Sequence, residues 1–170
     1  MKGIVIFASK YGSTAEYACL IARKLHTEAL RASQAPSEAV FRADFIVLGS
    51  PIYAYSVLPE MELFLEREYR TLGRKPLAAF VVCGDTMWNP KAGEGGNKNL
   101  EKLIRFLPTE PFATAIFGGR MCMDELDEED VPRIRAFYER IERDPVGFDR
   151  MEMEEVEPWV EEIKEVLWDK

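Results

Sequence analysis

Apolar runs alternate with amphipathic stretches along the first 120 residues. A short apolar run rich in β-branched residues predicts a buried strand, and apolar positions spaced three or four apart predict a helix. The predicted strands are residues 3–9, 28–32, 43–50, 77–83 and 111–119. The predicted helices are residues 13–30, 59–69 and 98–107. The second strand is the weakest prediction, because its residues also suit the end of the first helix.

The alternation of strands and helices predicts an α/β fold with one parallel sheet between two layers of helices. Right-handed crossovers between five such strands fit the doubly wound order 2-1-3-4-5. A short connection that contains Pro36 is expected between the second and third strands. We expect a three-layer sandwich in which residues 1–120 form the sheet core.

The chain changes character after residue 119. An acidic stretch at 124–130 precedes a predicted helix at 132–143, and a linker leads to a last helix at 158–168. One of these helices is expected to cover the sheet, and the other is an addition to it. Residues 121–170 are therefore an acidic helical extension of a single domain spanning 1–170.

Composition limits the classes of function. The net charge is −8, from 22 basic and 30 acidic side chains, so the chain lacks the basic face that nucleic acid requires. The charge suits solubility, and it also suits attraction of a basic partner protein. The apolar run at 77–83 is too short to span a membrane, and the first nine residues resemble a strand more than a signal peptide. We therefore expect a soluble, cytoplasmic protein.

Cysteine and histidine content argues against metal chemistry. The three cysteines form no CxxC pair, and His26 is the single histidine of the sequence. Cys19 and Cys83 lie in predicted elements and are interpreted as small core residues.

The first candidate loop, S-K-Y-G-S-T at residues 9–14, joins a strand directly to a helix. Gly12 allows close backbone approach, and the helix directs free N–H groups and partial positive charge at the loop. These features suit a phosphate group. The alternative is that Ser13 or Thr14 simply caps the helix.

The second candidate loop, G-S-P-I-Y-A-Y-S, begins at residue 49. Pro51 stiffens it, Ser50 can donate a hydrogen bond, and Tyr53 or Tyr55 offers a flat face to a ring system. Alternatively, one of the two tyrosines packs under the following helix.

The third candidate loop starts with C-G-D-T-M-W at residue 83. Gly84 allows close approach, Asp85 can accept hydrogen bonds, and Met87 and Trp88 can cover a flat ligand. The alternative is that Asp85 caps a turn. Because the carboxyl ends of parallel strands meet at one edge, the three loops are expected to form one site.

Several nucleotide-binding motifs are absent. No lysine follows Gly12 as in the loop of nucleoside triphosphatases, and there is no G-x-G-x-x-G fingerprint. A receiver domain would need acidic residues where Ser9 and Ser50 stand. These absences favour a mononucleotide.

Together the three loops resemble the FMN loops of flavodoxin-like proteins. The paired G-S-T and G-S-P-I-Y motifs, the L-P-E-M start at 58–61 and F-G-G-R at 117–120 are similar to the flavodoxin-domain group that includes menaquinone-dependent protoporphyrinogen oxidase. The resemblance covers about residues 1–142 and implies FMN as the cofactor. It assigns the phosphate to Ser9, Lys10, Tyr11, Gly12, Ser13 and Thr14. The residues that it implies as the border of the isoalloxazine are Ser50, Pro51, Ile52, Tyr53, Ala54 and Tyr55, together with Gly84, Asp85, Thr86, Met87 and Trp88.

Three functions follow as hypotheses. The first is an FMN oxidoreductase acting on a quinone, porphyrinogen or other small acceptor. The second is a flavodoxin-type carrier with no substrate of its own, and the third is a binding domain that has lost FMN. The expected partner is a redox protein or a small-molecule electron acceptor, with a homo-oligomer left open. No residue is assigned as a general acid or base.

Since Lys10 and Lys91 are the only basic residues of the three loops, we expect the acidic chain to disfavour an anionic reduced flavin.

Overall fold

The computed structural model describes residues 1–84 and 92–168, and within its fourth helix it describes side chains from residue 98 onward. A five-stranded parallel sheet forms the centre of the molecule, in the order β2-β1-β3-β4-β5. The strands are β1 (Gly3–Phe7), β2 (Glu28–Arg31), β3 (Phe45–Pro51), β4 (Leu77–Cys83) and β5 (Ala113–Gly118). The predicted fold class and strand order are confirmed.

Helices connect the strands and flank both faces of the sheet. They are α1 (Ser13–Lys24), α2 (Ser37–Arg42), α3 (Pro59–Leu72), α4 (Ala92–Ile104), α5 (Asp130–Arg140) and α6 (Val156–Trp168). Among the described residues, none of the helices is sufficiently long and apolar to cross a bilayer.

Alternate residues of the central strands supply two cores. On one face Ile46, Leu48 and their neighbours pack with α2, α3 and α4, through residues such as Phe64 and Leu65. On the other face Val47 and its neighbours pack with α1 and α6. Each large apolar side chain buried in this way contributes about 1.5–3 kcal/mol. The helix that covers the sheet is therefore α6, which contacts both α1 and β5.

Two local features differ from the sequence prediction. The predicted 13–30 helix ends at Lys24, followed by His26 with a φ of 52°, a left-handed conformation that stops a helix and frees residues 28–31 for β2. The expected connection around Pro36 contains the six-residue helix α2. This helix is too short to show a period, and Val40 is its buried residue.

A small antiparallel ribbon returns the C-terminal extension to the sheet edge. It pairs β6 (Arg120–Met121) with β7 (Phe148–Asp149). Close packing fixes the ribbon, because a Cβ at Gly118 would lie 2.0 Å from the Arg150 carbonyl oxygen. The Arg150 amide also donates to the Gly119 carbonyl over 3.1 Å. The ribbon was not predicted, since two-residue strands carry no periodic signal.

Gly118→Ala is expected to lower the free energy of unfolding by about 2 kcal/mol, as measured by urea denaturation. The new methyl group would meet a backbone oxygen that cannot rotate away. Gly73→Ala is the matched control, because its nearest atom would be 3.4 Å away. Equal stability changes in the two variants would contradict the tight packing of the ribbon on β5.

Candidate functional site

A cavity of about 470 Å³ lies at the carboxyl ends of β1, β3 and β4. This volume is in the range of small-molecule sites. The predicted site residues that line it are Ser9, Lys10, Tyr11, Ser13, Thr14, Pro51, Ile52, Tyr53, Ala54, Tyr55 and Gly84. Gly12 and Ser50 belong to the same loops but do not line the cavity, and the predicted contacts of Asp85, Thr86, Met87 and Trp88 fall outside the described residues. The topology thus brings the described parts of the three loops together.

The first loop turns sharply at Gly12, whose φ is 101°. The Gly12 amide donates to Ser9 Oγ over 3.2 Å, and Gly12 is the N-cap of α1 with no side-chain cap. The interpretation of Ser13 or Thr14 as the cap is therefore wrong. Ser13 Oγ instead accepts a hydrogen bond from the Arg120 amide over 3.1 Å.

This loop meets the chemical needs of a phosphate group. The first amides of a helix have no intrahelical acceptor, and their partial positive charge favours an anion. Ser13 and Thr14 add hydroxyl groups in the cavity lining. Because no side chain caps α1, an external oxygen acceptor can take those amides. The donor set of the loop therefore fits a phosphate.

Neighbouring elements fix the position of Ser9, at the start of this loop. Its carbonyl accepts from Arg31 Nη2 over 2.6 Å, and its amide donates to Glu60 Oε1 over 3.2 Å. Arg31 also pairs with Glu60, so β2 and α3 together brace the loop.

The second loop contains a two-residue turn between Tyr53 and Ser56. These two residues exchange backbone hydrogen bonds of 2.8 and 3.0 Å, while Ala54 and Tyr55 have φ values of 47° and 66°. Two left-handed residues in succession are uncommon outside glycine and asparagine, so the surrounding contacts must maintain this turn. Ser50 is buried at its base, where it donates to the Pro51 carbonyl.

The turn sends its two tyrosines in different directions. The Tyr53 hydroxyl is buried near Asp130 but makes no hydrogen bond of ordinary geometry among the described residues, and its ring lies 6.1 Å from that of Tyr11. Burial, and then the nearby Asp130 carboxylate, raises the pKa of Tyr53 above its ordinary range. Tyr55 is 60% exposed. Tyr53 is thus half-buried with its hydroxyl enclosed, whereas Tyr55 is presented at the surface.

The third loop begins at Gly84, where the sequence suggested close approach of a ligand. The Phe148 ring makes the approach seen here, since a Cβ at Gly84 would lie 2.8 Å from its nearest atom. The Arg150 guanidinium donates to the Gly84 carbonyl. The packing of Phe148, in β7, therefore explains why a glycine is needed at this position.

The C-terminal extension supplies one wall of the cavity, which the sequence did not reveal. The lining residues from this extension are Met121, Leu126, Arg133, Ile134, Ala136, Phe137, Tyr138, Arg140 and Phe148. The lining residues on α5 recur at helical spacing. The sequence signal that could have revealed this wall is therefore the amphipathic face of the predicted helix, to which no partner had been assigned. The part of the lining that was missed is completed by Val82, Cys83, Asn99, Lys102, Gly119 and Arg120.

A buried carboxylate joins this wall to the first loop. Asp130 is fully buried, and Lys10 Nζ lies 2.6 Å from it and 2.8 Å from Asp127. The Tyr11 hydroxyl donates to Asp130 and accepts from the Asp127 amide over 3.1 Å. Burial opposes the ionisation of Asp130, but the hydrogen bonds from Lys10 and Tyr11 prevail and lower its pKa. Hydrogen bonds to Asp127 and Asp130 raise the pKa of Lys10.

These shifts predict a specific pH dependence. A carboxyl whose pKa is lowered on folding stabilises the protein above its ordinary pKa of 3.8, and the effect disappears as the pH falls through the lower folded value. The difference in unfolding free energy between the wild type and Asp130→Asn should therefore be largest near pH 7 and should shrink below pH 3.8. Urea denaturation at several pH values measures it, and a difference independent of pH would contradict the ionised state of Asp130.

The charges around the cavity differ from the sequence expectation. Four basic side chains from outside the three loops line it in addition to Lys10: Lys102, Arg120, Arg133 and Arg140. The expectation that few basic side chains lie near the flavin site is therefore wrong, because other parts of the chain bring cations to the cavity. Within the described parts of the chain, no cluster of three or more potential His, Cys, Asp or Glu metal ligands is found.

Comparison with known proteins identifies the relatives of this fold. A family model described as a flavodoxin domain matches residues 4–144. A flavodoxin from the domain Archaea is 20% identical, with a TM-score of 0.52 over 78% of this chain and 90% of that chain. Flavodoxin 1 from Bacillus cereus is 23% identical, with a TM-score of 0.52 over 81% and 94% of the two chains.

A flavodoxin from Streptococcus pneumoniae TIGR4 is 17% identical and has a TM-score of 0.52 over 84% of this chain and 98% of that one. None of the curated proteins matches the chain. At these identities the structural matches establish the fold.

Proposed function

This chain belongs to the flavodoxin domain family, and from that premise we propose that it is an FMN-dependent oxidoreductase that passes electrons to a quinone, porphyrinogen or other small acceptor. The observation that carries the proposal is the cavity at the carboxyl edge of the sheet. It is bordered by the uncapped amino terminus of α1 and by the turn at residues 53–56, which we call the tyrosine turn. One end suits a phosphate and the other suits a flat ring.

The first loop would hold the FMN phosphate through the free amides of α1 and the hydroxyl groups of Ser13 and Thr14. Pro51, Ile52 and Tyr53 would border the ring system, with Gly84 on the other side. When bound, FMN would supply the electron-transfer chemistry. The residues of the chain bind the cofactor and limit what reaches it.

The wall formed by α5 supports a small acceptor over a protein partner. Asp130 of α5 contacts Tyr11 of the first loop, and Arg140 of α5 donates to Tyr55 of the second loop. This helix therefore bridges the two loops across one side of the cavity. A small molecule can share such a cavity with a flavin, whereas a protein partner needs an open edge.

A carrier without its own substrate is the alternative, and the similarity to flavodoxins favours it. Turnover distinguishes the two. With light and a sacrificial electron donor to re-reduce the flavin under anaerobic conditions, an oxidoreductase should reduce menadione repeatedly, while a carrier should exchange electrons only with a protein reductase.

We expect the protein to be isolated with FMN or to bind it when reconstituted, with the absorbance bands of a bound flavin. The measurement is an absorbance spectrum followed by release and identification of the flavin. A colourless protein that cannot be reconstituted with FMN would overturn both the oxidoreductase and the carrier.

A further inference from the structure

The basic side chains of the cavity are unusual for so acidic a chain. Five described lining residues are lysine or arginine, and no described lining residue is aspartate or glutamate. The whole chain, in contrast, carries 30 acidic and 22 basic residues. The positive charge is therefore concentrated locally at the cavity.

Three of these five cations are already neutralised by carboxylates. Lys10 pairs with Asp127 and Asp130, Arg120 pairs with Glu16, and Arg133 lies 3.6 Å from Asp130. Ion pairs within the protein therefore balance the positive charge on the side of the cavity near the first loop.

Lys102 and Arg140 differ, because neither forms an ion pair with any described residue of the chain. Lys102 Nζ donates to Asn99 Oδ1 over 2.7 Å, and Arg140 donates to the Tyr55 hydroxyl. Both cations lie near the Tyr55 ring, at 5.4 and 5.8 Å from its centroid. Two cations from separate helices thus converge on one aromatic side chain.

The backbone at Tyr55 adopts a conformation that non-glycine residues rarely take. Tyr55 and Ala54 both adopt left-handed conformations, and the Tyr55 side chain remains 60% exposed. Residues held in sparsely populated conformations cluster at binding sites. The turn, α4 and α5 therefore form a platform consisting of Tyr55, Lys102 and Arg140.

We infer that this platform binds an anionic group of the electron acceptor, which is a small quinoid molecule carrying a carboxylate, sulfonate or phosphate. The inference rests on the proposed function. Arginine and lysine provide charge-assisted hydrogen bonds, and the aromatic ring provides a flat contact surface. Bound FMN, once reduced by an external electron donor, would supply the two electrons and two protons that convert the quinone to its hydroquinone, and FMN would return to its oxidised form. The anionic group undergoes no bond change.

The kinetic test compares 1,4-naphthoquinone with 1,4-naphthoquinone-2-sulfonate as acceptors for the holoprotein, whose flavin is re-reduced by light and a sacrificial electron donor. We expect Arg140→Gln and Lys102→Gln each to lower the ratio of kcat/KM for the sulfonate to kcat/KM for the neutral quinone by about tenfold. Comparing this ratio between each variant and the wild type cancels the intrinsic difference in reactivity between the two quinones. Arg42→Gln is the control, since it removes the same charge from α2 at an exposed pair with Glu38.

A binding test is independent of turnover. Naphthalene-2-sulfonate, which is not a quinone, should bind about tenfold more weakly to Arg140→Gln than to the wild type in isothermal titration calorimetry. Arg42→Gln should bind it like the wild type. Unfolding by urea verifies that each variant is folded.

The outcomes separate the inference from the proposed function. If the protein holds FMN but Arg140→Gln and Lys102→Gln alter neither the acceptor ratio nor sulfonate binding, the inference is overturned and the proposed function stands. If no FMN binds, the proposed function fails, and the inference fails with it. Equal losses for neutral and anionic acceptors would also overturn the inference, because they indicate a role in packing.

Discussion

Ser13→Glu is expected to weaken FMN binding at least about 100-fold, which corresponds to about 2.7 kcal/mol. Ser13 lines the cavity at the first residue of α1, where the proposed phosphate would lie. Two unit charges of like sign 4 Å apart repel by about 4 kcal/mol at an effective dielectric constant of 20. The measurement is titration of the apoprotein with FMN, followed by flavin fluorescence.

Ser13→Gln is the matched control for this change. Glutamine has nearly the same size as glutamate and carries no charge, so its effect on affinity should be much smaller. The comparison also controls for loss of the hydrogen bond between Ser13 Oγ and the Arg120 amide. Equal affinities of the Glu and Gln variants would show that the phosphate binds elsewhere.

The sheet and its three loops were predictable because their signal is local. Each central strand is a continuous apolar run, and β4 is buried along its whole length from Leu77 to Cys83. Once the strands are known to be parallel, topology alone decides which loops share an edge. The convergence of the first two loops with Gly84 required no knowledge of individual side chains.

The wall of the cavity was not predictable, because it depends on contacts between residues far apart in sequence. Asp130 stands in an acidic stretch that suggests a solvated face, yet it is fully buried against Lys10 and Tyr11. Likewise, Gly84 suggested contact with a ligand, whereas Phe148 approaches it. No local pattern distinguishes one aspartate in an acidic run from its neighbours.

The conformation of the tyrosine turn could not be predicted from the sequence for a different reason. Left-handed residues are predicted from glycine or asparagine, and Ala54 and Tyr55 are neither. Their conformation follows from the backbone pairing of Tyr53 with Ser56 and from the contact between Tyr55 and Arg140. The sequence therefore identified Tyr55 as a candidate, while its exposure and its two cationic neighbours came from the fold.

The contacts of α5 give the extension a defined role in the site. Asp130 near its start contacts the first loop, and Arg140 at its end contacts the second. Both proposed binding regions, for the phosphate and for the acceptor, therefore depend on how firmly this one helix is held. Its most deeply buried polar contact with the first loop is the Asp130 carboxylate.

Asp130→Ala is accordingly expected to lower the free energy of unfolding by about 3 kcal/mol, as measured by urea denaturation at pH 7. The change removes the acceptor of the Tyr11 hydroxyl and leaves Lys10 with one carboxylate in place of two. Amide hydrogen exchange should accelerate in α5 more than in β1 and β3, since the anchor of that helix is lost.

Asp127→Ala is the control that makes this prediction specific. Asp127 pairs with the same lysine at 2.8 Å, but its side chain is 46% exposed, so water can replace it. Its loss should change stability much less than the loss of Asp130. Similar destabilisation of the two variants would mean that neutralising Lys10, and not the buried carboxylate, holds α5 on the first loop. A marked effect of Asp130→Ala alone, with faster exchange in α5, would establish that carboxylate as the attachment of the cavity wall.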